Sequence, residues 1–135
     1  MHKVIKFALL LLFFMPDCRK VDSNNCIDAA CTTEFRGIGI TVKYLSDESP
    51  VILTSYNVYR TSDNLLLKQN ISNVDFNKGF YNVVDDTMVS QFYNSSFEIV
   101  FKGYINDSLV ITSKLIVKFT CCHVYYVSGP LVTYI

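Results

Sequence analysis

The sequence predicts an all-β fold, an antiparallel sandwich of about seven strands in a single domain. Three observations predict it. The residue palette is that of strands: Leu, Val, Ile, Phe, Tyr and Thr recur, while Ala and Glu are scarce. Apolar and polar residues alternate with a period of two over several stretches. Short polar clusters rich in turn formers separate those stretches. The chain has 135 residues, 50% of them hydrophobic and 14% aromatic, which is enough apolar mass for a packed core.

The elements follow in order. FRGIGITVKYL puts Ile38, Ile40, Val42 and Tyr44 on one face, with Gly39, Thr41 and Lys43 on the other. SDESP then breaks the strand. VILTSYNVYR is a second strand that ends at TSDN, and LLLKQN is a short third. VDFNKGFYNVV contains a turn at Asn77-Lys78-Gly79. The stretch DDTMVSQFYNSS is ambiguous between strand, short helix and loop. SFEIVFKGYI alternates again, with Phe97, Ile99, Phe101 and Ile105 opposed to Glu98, Lys102 and Tyr104. After the turn NDS comes LVITSKLIVKF, and HVYYV and LVTYI close the chain around Ser128-Gly129-Pro130. No segment offers an amphipathic helix of useful length.

The N-terminus reads as an export signal over residues 1–17. Lys3 and Lys6 precede an unbroken apolar run from Phe7 to Met15, which Pro16 ends. The run is too short to cross a bilayer core, which needs roughly 20 residues. Cys18 follows at once, as in a bacterial lipobox, where the thiol takes a diacylglycerol and becomes the new N-terminus. The residues before it are Met15, Pro16 and Asp17, where small side chains are usual. Parity supports lipidation. The chain has five cysteines, Cys18, Cys26, Cys31, Cys121 and Cys122, and an acylated Cys18 leaves four that can pair completely. The expected organisation is a signal peptide over 1–17, a lipid-anchored tether over 18–30 and the sandwich over 31–135.

CTTEFRGIGITV near the start and CCHVYYVSGP near the end resemble pieces of a group of small Bacteroidota lipoproteins. These look like transthyretin-like or carboxypeptidase-regulatory-like β-sandwiches, a class close to the Ig-like one. The likeness rests on Cys31-Thr32-Thr33-Glu34-Phe35, on Cys121-Cys122-His123 and on Ser128-Gly129-Pro130, and it follows the strand order between them. It implies a fold and a location, the outer membrane with its face open, and carries no activity.

The four remaining cysteines offer disulfides or a metal site. Adjacent residues on a strand face opposite ways, so Cys121 and Cys122 are expected to take separate partners. Four cysteines permit three connectivities. The two that tie Cys26 and Cys31 to Cys121 and Cys122 are favoured, with no choice between them; the alternative is a Cys26–Cys31 loop. Each long bridge would close a loop of roughly 90 residues and stabilise by about 4 kcal/mol. Zinc is disfavoured, because one pair is spaced C-x₄-C and the other is contiguous, and because an exported chain meets an oxidising compartment. His123 is read as a neighbour of a disulfide: on a strand it would face away from Cys122, the wrong geometry for a thiol nucleophile and its base.

Asp75, Asn77 and Asp86 fall at first, third and twelfth positions of a calcium-type loop, but Phe80 stands where glycine is needed. Asp85-Asp86 reads as a solvated turn. Tyr125 and Tyr126 could offer a sugar or protein contact surface, although strand tyrosines more often pack within a sandwich. Asn70, Asn94 and Asn106 head Asn-x-Ser sequons, and Asp86-Thr87-Met88 and Asp107-Ser108-Leu109 resemble the Bacteroidota O-glycosylation motif. With zero net charge and no basic stripe, nucleic acid is not an expected partner. The expected function is therefore that of a non-catalytic binding or structural module of the cell envelope, anchored to the membrane by lipid, with no cofactor and no enzymatic activity. An envelope glycan-binding module and a metal- or thiol-dependent enzyme built on the Cys/His cluster are the alternatives.

Overall fold

A computed structural model describes Cys26, residues 29–70 and residues 79–135. The export signal, Cys18, residues 19–25 and the Asp75 and Asn77 positions lie outside the described residues. Eight strands form two sheets. They are β1 (Gly37–Lys43), β2 (Ser55–Arg60), β3 (Leu66–Asn70), β4 (Phe80–Asp85), β5 (Ser95–Ile105), β6 (Ser108–Phe119), β7 (Val124–Ser128) and β8 (Val132–Tyr134). One sheet has the order β4-β1-β8 and the other β3-β2-β5-β6-β7. The fold is the all-β sandwich that the alternation predicts. One pairing departs from the antiparallel expectation, since β8 lies parallel to β1, with Thr41 opposite Val132 and Lys43 opposite Tyr134. No turn joins the first strand to the last, so nothing local in the sequence dictates that direction.

The alternation is visible in the burial. Ser113, Leu115, Val117 and Phe119 of β6 are buried while Thr112, Lys114, Ile116 and Lys118 between them are exposed. Ile38, Ile40 and Val42 of β1 face Tyr56 and Val58 of β2, Ile99 and Phe101 of β5 and the inner face of β6 in one continuous core. At its centre the rings of Tyr56, Tyr81 and Phe101 lie 5.5–5.9 Å apart. Both tyrosines keep their hydroxyls bonded to backbone. Tyr81 donates to the Val51 carbonyl at 2.6 Å and accepts the Leu53 N–H at 2.8 Å. Tyr56 donates to the Asn82 carbonyl at 2.8 Å.

Two connections position the site. The β5–β6 turn is the pair Asn106-Asp107, both at positive φ (47° and 64°), as a two-residue type I′ hairpin requires. Gly129 carries the chain from β7 in one sheet to β8 in the other at φ 111°. A Cβ there would stand 2.5 Å from the Lys114 carbonyl, so both conformation and space demand glycine. The ambiguous stretch after β4 is helical: a 3-10 turn at Asp86–Met88 runs into α1 (Val89–Phe92). Asp85 caps it by accepting the Thr87 N–H at 3.1 Å.

Candidate functional site

The candidate site lies at one corner of the sandwich, where the segment before β1 crosses the tip of the β6–β7 hairpin. Cys26 is bonded to Cys121 and Cys31 to Cys122, each with Cα atoms 5.2 Å apart. Of the two cross-connectivities left open by the sequence, this is the one adopted. The expectation that Cys121 and Cys122 sit on a strand is corrected. They occupy the hairpin turn between Phe119 and Val124, outside both strands. Thr120 builds that turn: its N–H donates to the His123 carbonyl at 2.9 Å, and its Oγ1 accepts the His123 N–H at 3.1 Å. The turn allows the neighbouring cysteines to reach two partners from the same overlying segment.

The structure also reassigns His123 and Asp86. His123 is only 6% exposed, and Nδ1 lies 2.7 Å from Asp86 Oδ2. On its other side Nε2 lies 2.9 Å from Thr32 Oγ1. The solvated-turn reading of Asp85-Asp86 is overturned. Asp85 is 8% exposed and pairs with Lys68 at 3.2 Å. Asp86 accepts the Arg36 N–H and the Val124 N–H, both at 2.8 Å, besides His123. The carboxylates are drawn inward because each meets donors that replace water. Burial pushes the Asp86 carboxyl up, but the bonds from His123, Val124 and Arg36 outweigh it and hold the group below its ordinary value. Asp85 follows the same pattern, with burial outweighed by Thr87 and Lys68.

A hydroxyl, an imidazole and a carboxylate therefore form one chain. Thr32 stands exposed at its outer end, and the ring and carboxylate are covered. An ionised carboxylate only accepts, so the proton between Asp86 and His123 belongs to Nδ1. In the neutral ring Nε2 then carries the lone pair and accepts from the Thr32 hydroxyl. A shallow pocket of about 460 Å³ opens over this chain, lined by Thr32, Arg36, Asn94, Thr120, His123 and Tyr125 among others. The Arg36 guanidinium sits 4.9 Å above the Tyr125 ring and is paired with Glu34 at 2.9 Å.

The sequence brought the cysteines and His123 into one motif, and the structure keeps them together. It did not join Thr32 and Asp86 to His123, from which they stand 91 and 37 residues away. The only signal pointing to Thr32 was its place directly after a bridging cysteine. With all four sulfurs in disulfides, none is available as a thiolate nucleophile or ligand. Asp86, offered by spacing as the end of a calcium-type loop, spends its oxygens on His123 and backbone N–H groups. Of the other marked positions, Thr87 and Ser108 are exposed, and the Thr87 hydroxyl donates to Asp85. No known family, curated protein or solved structure matches this chain.

Proposed function

We propose that this protein is an exported β-sandwich of the cell envelope, anchored through lipid on Cys18, that works as a binding module for another envelope component. The observation that carries the reading is the β7 edge. β7 closes one side of the five-stranded sheet, and among the described residues no strand pairs with its outer side. Tyr125, Tyr126 and Val127 on β7 are 40–51% exposed, and Leu131 before β8 and Val132 and Tyr134 on it are 40–43% exposed. Such an edge accepts an added strand, and exposed aromatics supply the contact area. The two disulfides support the export half of the reading, because such bridges persist in oxidising compartments. A photo-reactive residue placed at Tyr126 in the intact envelope should give a crosslinked adduct of discrete mass. A monomer band alone after irradiation would reject the binding role. Metabolic labelling with a radioactive fatty acid should mark the wild type and not Cys18→Ala; equal labelling would reject the anchor.

A second ligand class is favoured by one observation. The outer face of the five-stranded sheet holds a groove of about 360 Å³ lined by Ser55, Asn57, Gln69, Tyr104 and Asp107. Planar amides and a carboxylate suit paired sugar hydroxyls, and a tyrosine ring suits the apolar face of a sugar. A glycan array on which wild type and Asn57→Ala retain the same signals, or none, would exclude this groove.

A further inference from the structure

The binding role leaves the Thr32–His123–Asp86 chain unused, and satisfying hydrogen bonds does not require its layout. Asp86 already has two backbone donors. His123 extends from it to a hydroxyl that is exposed, 2.9 Å beyond Nε2 and on the wall of a pocket. A nucleophilic hydroxyl needs a base within hydrogen-bond reach, and the base needs a third group that fixes its tautomer. Both conditions hold here, on three residues far apart in sequence. The pair of backbone N–H groups on Asp86 fixes the carboxylate, as a positioning residue must be fixed. The turn built by Thr120 fixes the ring's backbone, and the Cys31–Cys122 bridge ties the residue before Thr32 to the residue before His123. Nucleophile and base are thus held on neighbouring positions of one covalent clamp.

We propose that Thr32 is an acyl-accepting nucleophile, with His123 as its general base and Asp86 as the positioning residue, acting on small carboxylic esters in the adjoining pocket. Thr32 Oγ1 bonds to the ester carbonyl carbon while its proton passes to His123 Nε2. The ester C–O bond breaks, and Nε2 returns the proton to the leaving alkoxide. A water then attacks the acyl-threonine and gives its proton to Nε2. The acyl–Oγ1 bond breaks, Thr32 recovers the proton, and a carboxylic acid leaves. Arg36 is the cation in the pocket lining, the group suited to facing the oxyanion of each tetrahedral intermediate. This goes beyond the binding role and does not depend on it.

The test uses the folded, oxidised protein with p-nitrophenyl acetate, followed by acid quench and peptide mapping. The expected result is turnover with an acetyl group on Thr32. Thr32→Ala, a change at an exposed residue, should cut the rate about 100-fold or more, the scale of a positioned base acting on its nucleophile. Thr32→Ser should keep or raise the rate, because a primary hydroxyl replaces a crowded secondary one. Absence of turnover overturns the proposal. So does acetylation confined to lysine or tyrosine, or a Thr32→Ala rate equal to wild type. Crosslinking through Tyr126 is read separately, so failure here leaves the binding role standing.

Discussion

The tyrosines at the centre of the sandwich and the histidine at its stapled corner are both polar groups withdrawn from water, and they are satisfied in different ways. Tyr81 and Tyr56 place neutral hydroxyls on backbone groups of neighbouring segments, so each bond ends inside the fold. His123 and Asp86 are ionisable, and their chain ends on the exposed hydroxyl of Thr32. The centre is held by packing and by closed hydrogen bonds. The corner is held by two covalent bridges and by a charge whose environment keeps it ionised. A closed polar group rigidifies a core, whereas one that leads to a surface hydroxyl can exchange a proton with whatever binds there.

The largest effect expected from breaking this division comes from the bridges. The first bridge closes a loop of about 95 residues and is worth about 4–5 kcal/mol by chain entropy. Once it exists, the second closes only a ring of several residues and adds about 2–3 kcal/mol. Removing either pair as serines should therefore cost about 2–3 kcal/mol in denaturant unfolding, and removing both about 7 kcal/mol. Costs that simply add would show that the second bridge does not close its ring within the loop of the first. Next in size is Tyr81→Phe, which strands the Leu53 N–H and the Val51 carbonyl and should cost about 1–3 kcal/mol with no change in acyl transfer. A loss of that activity would mean that the two regions are coupled.

Acid acts on the corner through Asp86 and on Asp85 beside it, more than on the exposed Asp47, Asp63 and Glu98, whose values are also lowered, and it leaves the central tyrosines alone. The folded values of Asp85 and Asp86 lie below their ordinary 3.8, so their contribution is fully present above that value and is lost as pH falls through the lowered ones. Thermal melts should hold steady down to about pH 4 and decline below it. Asp86→Asn should flatten the decline, and an unchanged slope would remove Asp86 from the account. The smallest effect is expected from Glu34→Gln. Its carboxylate is 60% exposed where it pairs with Arg36, so solvent screens the pair and the melting temperature should not move measurably.

The centre was legible in the sequence and the corner only in part. Ile38, Ile40 and Val42, or Leu115, Val117 and Phe119, announce their burial by period alone, since each residue's direction follows from its neighbours. The cysteines announced a staple by number and by order. Their strand assignment failed because Thr120 turns the chain one residue before them, and a side chain that accepts backbone N–H groups overrides the apolar context. Asp86 was misjudged for a related reason: it looks exposed beside its own neighbours and is covered only by groups brought from far along the chain. The parallel partner of β1 was equally hidden, because it lies far along the chain with no turn joining the two strands.

That pairing sets an order of events. One edge of β1 is filled by β4 and the other by β8. Without β8, Thr41 lacks the Leu131 carbonyl that its N–H requires, and Leu45 lacks that of Ile135. The pairing joins residues far apart in sequence, so the smaller sheet is expected to close late in folding. A variant cut after Gly129 should expose the unpaired edge of β1 and self-associate through it.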